Sequence, residues 1–233
     1  MKDKLFTRTD KIAFALLTCL SVAAIVYFLA HWVAFRDWLT HPGTFLILTF
    51  IVFFKVANSL VRWFTLPLMK RPHVIVPSNG LKVAVVTTIV PGAESLEMLE
   101  ETVSALVALD YAHDTWVLDE GDDDEVKALC RRGGALHFSR KNLPQYRTDG
   151  GAFKVGSKHG NYNAWLYEVG FDRYEIIAAF DPDHVPDRAF LSSVLGYFKE
   201  PTVGYVQAAQ AYYNQEASFI ARGAAEETYE YYS

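Results

Sequence analysis

Cysteine is nearly absent: the 233 residues include only Cys19 and Cys130. One lies in an apolar run and the other near a helix end. Nothing here suggests a disulfide framework or a thiolate metal site, and the chain fits a reducing compartment. Basic excess is absent as well. The formal net charge is −5, so the chain as a whole carries no nucleic-acid footprint, and no nucleic-acid partner is expected. There are no internal repeats. Charged residues make up only 21 % of the chain against 51 % hydrophobic, which argues against disorder and for a packed core. A true phosphate-binding loop is also missing. Gly151-Ala-Phe-Lys-Val-Gly156-Ser-Lys158 comes close. Such a loop, however, needs Lys before Ser or Thr and a buried strand just upstream. Here the order is Ser-Lys and the upstream stretch is polar, so an NTPase reading is rejected.

What is present begins with two apolar runs. Ile12 to Phe35 is broken only by Thr18, Ser21 and His31. Phe45 to about Val61 contains Lys55 and Asn58. A spanning helix needs roughly 20 predominantly apolar residues. The first run qualifies clearly. The second is weakened by Lys55, since a charge at a helix centre costs about 2.5–3.5 kcal/mol on insertion scales; Lys55 snorkels or faces a partner helix. A cleaved signal peptide is the competing reading of the first run. Its apolar region is usually about 7–15 residues; this one is longer and is followed by another. Transmembrane helices are therefore expected at about 12–35 and 44–64. Lys2, Lys4, Arg8 and Lys11 precede the first, Arg36 sits alone between them, and Arg62, Lys70 and Arg71 follow the second. The positive-inside rule then puts both ends in the cytoplasm.

Pro67 to Gly80 reads as a linker. Beyond it the pattern alternates between strand and helix. Lys82 to Thr88 is a buried strand by its β-branched run. Ser95 to Leu109 carries a helical stripe with an acidic first turn. Trp116 to Leu118 is a short strand, followed by a helix capped by Asp122 with Glu125 and ended by Gly133-Gly134. Further strands are expected at Leu136–Phe138, Glu175–Phe180 and Val203–Gln207, with helices at Asn161–Glu168, Asp187–Phe198 and Ser218–Tyr232. This alternation implies βαβ units and a mostly parallel α/β sheet. Ligands of such sheets bind beyond the carboxyl ends of the strands.

Two acidic clusters fall at those ends. Asp181-Pro182-Asp183 follows an apolar strand directly. Residues at i and i+2 of an extended segment point the same way, and two carboxylates projecting together repel unless a proton or cation intervenes. Hard oxygen ligands suit Mg2+ or Mn2+. A solvated strand-end turn is the competing reading. In the run Asp119 to Glu125 most of the charge reads as a turn and a helix cap. Asp119, at the strand's exit, is the better candidate, because a carboxylate there can accept hydrogen bonds from a base or ribose. Between the clusters lie Arg140, Lys141, Arg147, Lys154 and Lys158. Gly-rich backbone with Lys158 near a helix start offers a diphosphate contact. His137 and His184 are given no role, since an isolated histidine is more often a hydrogen-bonded or surface residue than a ligand.

Taken in order, these segments resemble the family 2 glycosyltransferases, and within them the cellulose-synthase-like processive membrane enzymes. Val83 to Thr88 with Pro91 and Glu94 resembles that family's opening nucleotide-binding segment, which brings in Thr87. Leu118-Asp-Glu-Gly121 resembles its Asp-Asp-Gly turn, whose first acid reads the uracil; Glu120 replaces the second Asp. Lys158-His-Gly-Asn161-Tyr-Asn163 is similar to its Lys-x-Gly-Asn-x-Asn signature. Phe180-Asp-Pro-Asp183 matches its metal motif, and Gly204-Tyr-Val-Gln207 with Gln210, Tyr213 and Asn214 looks like its Gln-x-x-Gln-x-Phe-x-Asn segment.

The resemblance implies a GT-A fold (Rossmann-like, mostly parallel) over residues 81–233, incomplete at its C-terminal side. A linker at 72–80 and a membrane part at 1–71 precede it. The implied donor site is Thr87, Asp119, Glu120, Lys158, Asn161 and Asp181, with Asp181 and Asp183 on Mg2+ or Mn2+. The implied reaction is inverting transfer from a UDP-sugar, UDP-glucose or similar, to a glycan acceptor, extending a β-linked polysaccharide. The implied place is the inner cell membrane, multi-pass, with a cytoplasmic transferase domain and membrane-complex subunits as partners. The family's catalytic-base motif, its acceptor-site motif and its later spans are expected beyond Ser233. Two other readings stand beside this one. In a haloacid-dehalogenase-type phosphatase, Asp181 is the nucleophile and Asp183 the general acid. In a non-catalytic membrane protein, the same site only binds a nucleotide sugar.

Overall fold

The structure is a computed structural model that describes residues 6–34, 40–68 and 72–231. Lys2, Lys4, Arg36, Lys70 and Arg71, on which the orientation partly rests, lie outside the described residues, as does Phe35 at the end of the first expected span. The chain divides into two compact units, one of residues 1–73 with 208–233 and one of Val74–Gln207.

The first unit holds two long helices, α1 (Arg8–Ala34) and α2 (Pro42–Thr65), and a third, α8 (Phe219–Tyr231). Both α1, of 27 residues with mean hydropathy 2.5, and the α2 segment to Leu68, of mean hydropathy 2.0, are long and apolar enough to cross a membrane. At about 1.5 Å per residue each reaches some 40 Å, more than the roughly 30 Å hydrocarbon layer. Neither buries a residue within the chain. Their contact is aromatic and polar: Trp32 stacks on Phe45 at 5.9 Å and donates its indole N–H to Thr49 Oγ1 at 3.0 Å.

The second unit is built on β1 (Val83–Ile89), α3 (Leu96–Val107), β2 (Asp114–Asp119), α4 (Asp124–Gly133), β3 (Leu136–Phe138), α5 (Lys158–Trp165), α6 (Phe171–Arg173), β4 (Ile176–Ala179) and α7 (Phe190–Val194). The four strands form one sheet in the order β3-β2-β1-β4, every pair parallel. The α/β class expected from the alternation is the one observed. All seven residues of β1 are buried, because a central parallel strand is covered on both faces and so reads as a continuous apolar run. The two faces alternate along it. Val83 and Val85 pack with Leu106, Leu191 and Leu195. Ala84 and Val86 pack on the other side with Trp116, Phe138 and Trp165.

Local signals fix the helix ends. Ser95 caps α3, its hydroxyl accepting from Glu97 N at 3.2 Å, as an N-cap serine should. Gly134 ends α4 in the left-handed conformation, φ 77°, where only glycine is unstrained. The cap of α4 is Asp123 rather than Asp122: it accepts from Glu125 N at 2.8 Å and Val126 N at 3.2 Å. Asp122 instead adopts φ 55° in the turn before it. Helix α5 runs Lys158–Trp165 and passes into a π-helical turn, Leu166–Gly170. Helix α7 is short and continues as a 3-10 turn, Leu195–Lys199.

One expected strand is not there. Residues 203–207 have no regular structure. The Val203 N–H is engaged in a turn to Glu200 O at 3.0 Å, Gly204 weakens a strand interior, and Tyr205 is 81 % exposed. The segment neither pairs nor buries its alternate side chains, so β4 is the edge of the described sheet. The stretch at 74–80, within the expected linker, packs onto the sheet unit. Tyr111 clips it by donating to Ser78 O at 2.6 Å and accepting from Leu81 N at 3.0 Å. Gly196 lies so close to Ile75 O that a Cβ there would come within 1.7 Å.

Candidate functional site

The carboxyl ends of β1, β2 and β4 and the start of α5 enclose a cavity of about 420 Å3. Its walls include Thr88, Glu94, Glu120, Lys158, Asn161, Asp181 and Asp183. The sheet topology puts it there: parallel strands all deliver their C-terminal residues to one edge, where the loops diverge and leave a crevice.

The metal motif is a turn rather than an extended segment. Strand β4 stops at Ala179. Pro182 then lacks an N–H to continue the ladder, and His184 N closes back on Asp181 O at 3.1 Å. The turn still gathers the acids, and it adds a residue that sequence reasoning set aside. Ligand atoms of Asp181, Asp183 and His184 all lie within 4.8 Å of one another. Two carboxylates and an imidazole suit Mn2+ and related divalent ions, with carboxylate oxygens equally suited to Mg2+. The missed signal was the i, i+2, i+3 spacing, which gathers three side chains only if the backbone turns after the proline.

Lys158 forms an ion pair with Asp181 across the cavity mouth. It opens α5, whose cap Ser157 accepts from Gly160 N at 3.2 Å. Asn161, one turn in, is 3 % exposed. Its amide donates to Leu118 O at 3.2 Å, while its Oδ1 has no partner. A buried acceptor without a partner costs free energy, and Asn161 lines the cavity.

The other predicted residues are placed differently. Asp119 is fully buried. One carboxylate oxygen accepts from Gly121 N at 2.7 Å; the other accepts from Asp123 N at 2.6 Å and meets His137 Nε2 at 3.0 Å. Both oxygens are engaged in shaping the turn. Thr87 is buried with an unpartnered hydroxyl. Its neighbour Thr88, on the opposite face of β1 by the strand's period of two, is the threonine that lines the cavity.

Glu120 faces the cavity, but its carboxylate grips Arg140 with two 2.9 Å bonds and accepts from Gly156 N at 3.1 Å. Arg140 is completely buried. Its remaining N–H groups reach the carbonyls of Tyr146, Phe153 and Lys154 at 2.9–3.1 Å, so all five donors are used. Arg140 therefore does not contact a diphosphate; it folds the Gly-rich loop. Lys141 likewise donates to Gly121 O at 2.7 Å. Of the five cations in the basic segment, only Lys158 lines the cavity. The same clasp explains Gly160 in the Lys-x-Gly-Asn motif. A Cβ there would sit 2.3 Å from Lys154 O and 2.7 Å from Arg140 Nη1.

No family model matches the chain. The UDP-forming cellulose synthase catalytic subunit of Pseudomonas fluorescens is 32 % identical over 127 residues, covering 53 % of this chain and 15 % of that protein. The UDP-forming cellulose synthase catalytic subunit of Xanthomonas axonopodis pv. citri is likewise similar, 30 % identical over 139 residues, 58 % of this chain and 17 % of that protein. The beta-monoglucosyldiacylglycerol synthase of Synechocystis is 30 % identical over 130 residues, 54 % of this chain and 25 % of that one. The chain thus spans a quarter or less of these curated relatives. Among solved structures, a mannosyltransferase from Pyrobaculum calidifontis in complex with GDP-Man and Mn2+ is 21 % identical with a TM-score of 0.47, covering 68 % of this chain and 45 % of that one. The curated relatives do not favour the phosphatase reading.

Proposed function

We propose that this chain forms the donor side of a membrane-bound glycosyltransferase. It holds a nucleotide sugar, UDP-glucose or a close analogue, over the carboxyl edge of the sheet. The observation that carries the reading is the convergence on one cavity of the Asp181 and Asp183 carboxylates, which cluster with His184, the Lys158 cation and Asn161. A bound Mg2+ or Mn2+ supplies positive charge to the departing diphosphate.

The protein's own groups do the rest. Asp181, Asp183 and His184 hold the ion. Lys158 exchanges Asp181 for a phosphate oxygen and stabilises the charge that grows there as the sugar–phosphate bond breaks. Asn161 Oδ1 accepts from a donor group of the nucleotide sugar. Thr88, rather than Thr87, borders the nucleotide. Asp119 and Glu120 act by shaping the loops around it. The donor reading draws on a relative whose name records UDP release. Transfer with inversion to a β-linked polysaccharide draws on the same relationship. The two apolar helices support a location at a bilayer, and the basic flanks support a cytoplasmic sheet unit.

Calorimetry of the full chain with UDP, with and without Mn2+, tests the donor site. UDP binding that requires Mn2+ and is lost in Asp183→Ala is expected. Equal UDP binding by both proteins, or none by the wild type, refutes the assignment.

A further inference from the structure

Thr102 lies in the middle of α3 on its buried face, between Leu99, Val103 and Leu106, and is fully buried. A hydroxyl at such a position needs a partner, and its partner is distant in sequence. Thr102 Oγ1 donates to the Pro182 carbonyl at 2.6 Å, across 80 residues. That carbonyl belongs to the Pro182–Asp183 peptide, which lies between the two acids of the cluster. Pro182 is itself buried and offers no N–H. The turn is otherwise tied by Phe180 N to Val86 O at 2.9 Å, by His184 N to Asp181 O, and by Asp181 N to His184 Nδ1 at 3.3 Å. None of these bonds is made by the Pro182–Asp183 peptide's own oxygen. The Asp183 side chain is 66 % exposed, with His184 at 3.9 Å as its neighbour. The Cα–Cβ bond of Asp183 is oriented by the backbone it leaves, and Thr102 holds the Pro182 carbonyl of that backbone.

We propose that Thr102 is a positioning residue for the cation site. It acts through the Pro182 carbonyl to aim the Asp183 carboxylate at the ion shared with Asp181 and His184. The inference rests on reading those three residues as the cation site. Threonine is required for its hydroxyl, since valine has the same shape and packs equally well against Leu99 and Leu106. The site thus depends on a helix that carries none of its ligands.

The test is Mn2+ binding by the full chain in detergent, followed by loss of the free-ion electron paramagnetic resonance signal. Thr102→Val, Thr102→Ala, Thr102→Ser and Asp183→Ala are compared with wild type. Circular dichroism checks that each is folded at the assay temperature. Thr102→Val and Thr102→Ala should bind Mn2+ about threefold to tenfold more weakly, the range expected for one hydrogen bond to a buried carbonyl. Thr102→Ser should restore wild-type affinity, which a purely packing role would not produce. Wild-type affinity in either folded hydroxyl-free variant overturns the proposal. Absence of Mn2+ binding by the wild type overturns the cation site itself, and the proposal with it.

Discussion

Replacing Arg140 with methionine removes a buried guanidinium while keeping most of the side chain's length. Five hydrogen bonds go with it. Glu120 loses both of its charged contacts and keeps only Gly156 N; the Tyr146 carbonyl loses its donor, while Phe153 O keeps Thr148 N and Lys154 O keeps the Ser157 hydroxyl. Breaking a buried ion pair by removing one partner costs about 3–5 kcal/mol, because the remaining charge is left uncompensated. The one stranded carbonyl, Tyr146 O, adds up to roughly 1–3 kcal/mol where water cannot reach it. The loop around it is partly exposed, so the ion-pair term governs and the expected loss is about 3–5 kcal/mol. That is a large part of the roughly 5–15 kcal/mol that a domain has. Urea denaturation followed by the fluorescence of the core residues Trp116 and Trp165 reads it directly. Methionine at 140 together with Glu120→Gln should recover part of the loss, since the unpaired charge is then gone. A loss below about 1 kcal/mol in the single variant would refute the clasp.

Other expectations follow from the same geometry. Gly160→Ala should destabilise the sheet unit by about 1–3 kcal/mol, because its Cβ meets Lys154 O at 2.3 Å; an unchanged denaturation midpoint would contradict this. Burial, with the Asp119 charge nearby, pushes the Cys130 thiol up from 9.0 to about 11. The folded state then holds this proton more tightly than the unfolded one, so the contribution is complete below pH 9 and is lost as pH rises towards 11. Iodoacetamide at pH 8 should leave Cys130 unmodified until urea unfolds the chain, and rapid labelling of the native protein would show the site to be open. Lys158→Met should weaken Mn2+-dependent UDP binding about tenfold, since it removes the cation lining the cavity beside the Asp181–Asp183–His184 cluster; calorimetry checks it, and unaltered affinity would remove Lys158 from the diphosphate site.

Much of the sheet unit was legible because its signals are local and redundant. The β-branched run at Val83–Ile89, the Ser95 cap and Gly134 each carry their own physical reason. The order of Asp119, Lys158, Asn161 and Asp181 along the chain suggested the crevice before any geometry was known. What sequence could not supply was the direction of single side chains. Thr87 and Thr88 are adjacent, and only strand register decides which faces the cavity. Asp119 has the right position and the wrong freedom, since the turn residues Gly121 and Asp123 take both of its oxygens. Arg140 looked like one of five surface cations, yet it is the buried centre of the loop. His184 was set aside because the role of an isolated histidine depends on a backbone turn that spacing alone does not reveal. Residues 203–207 have a strand's pattern without a strand's pairing, and pairing is a tertiary fact.

The central claim is a divalent ion held by Asp181, Asp183 and His184 against a nucleotide diphosphate. Pulsed electron paramagnetic resonance of Mn2+ with UDP and the full chain tests it most directly. The account predicts hyperfine coupling to both phosphorus and an imidazole nitrogen, with the nitrogen coupling lost in His184→Ala and both lost in Asp183→Ala. A spectrum identical to that of Mn2+ and UDP without protein would contradict it.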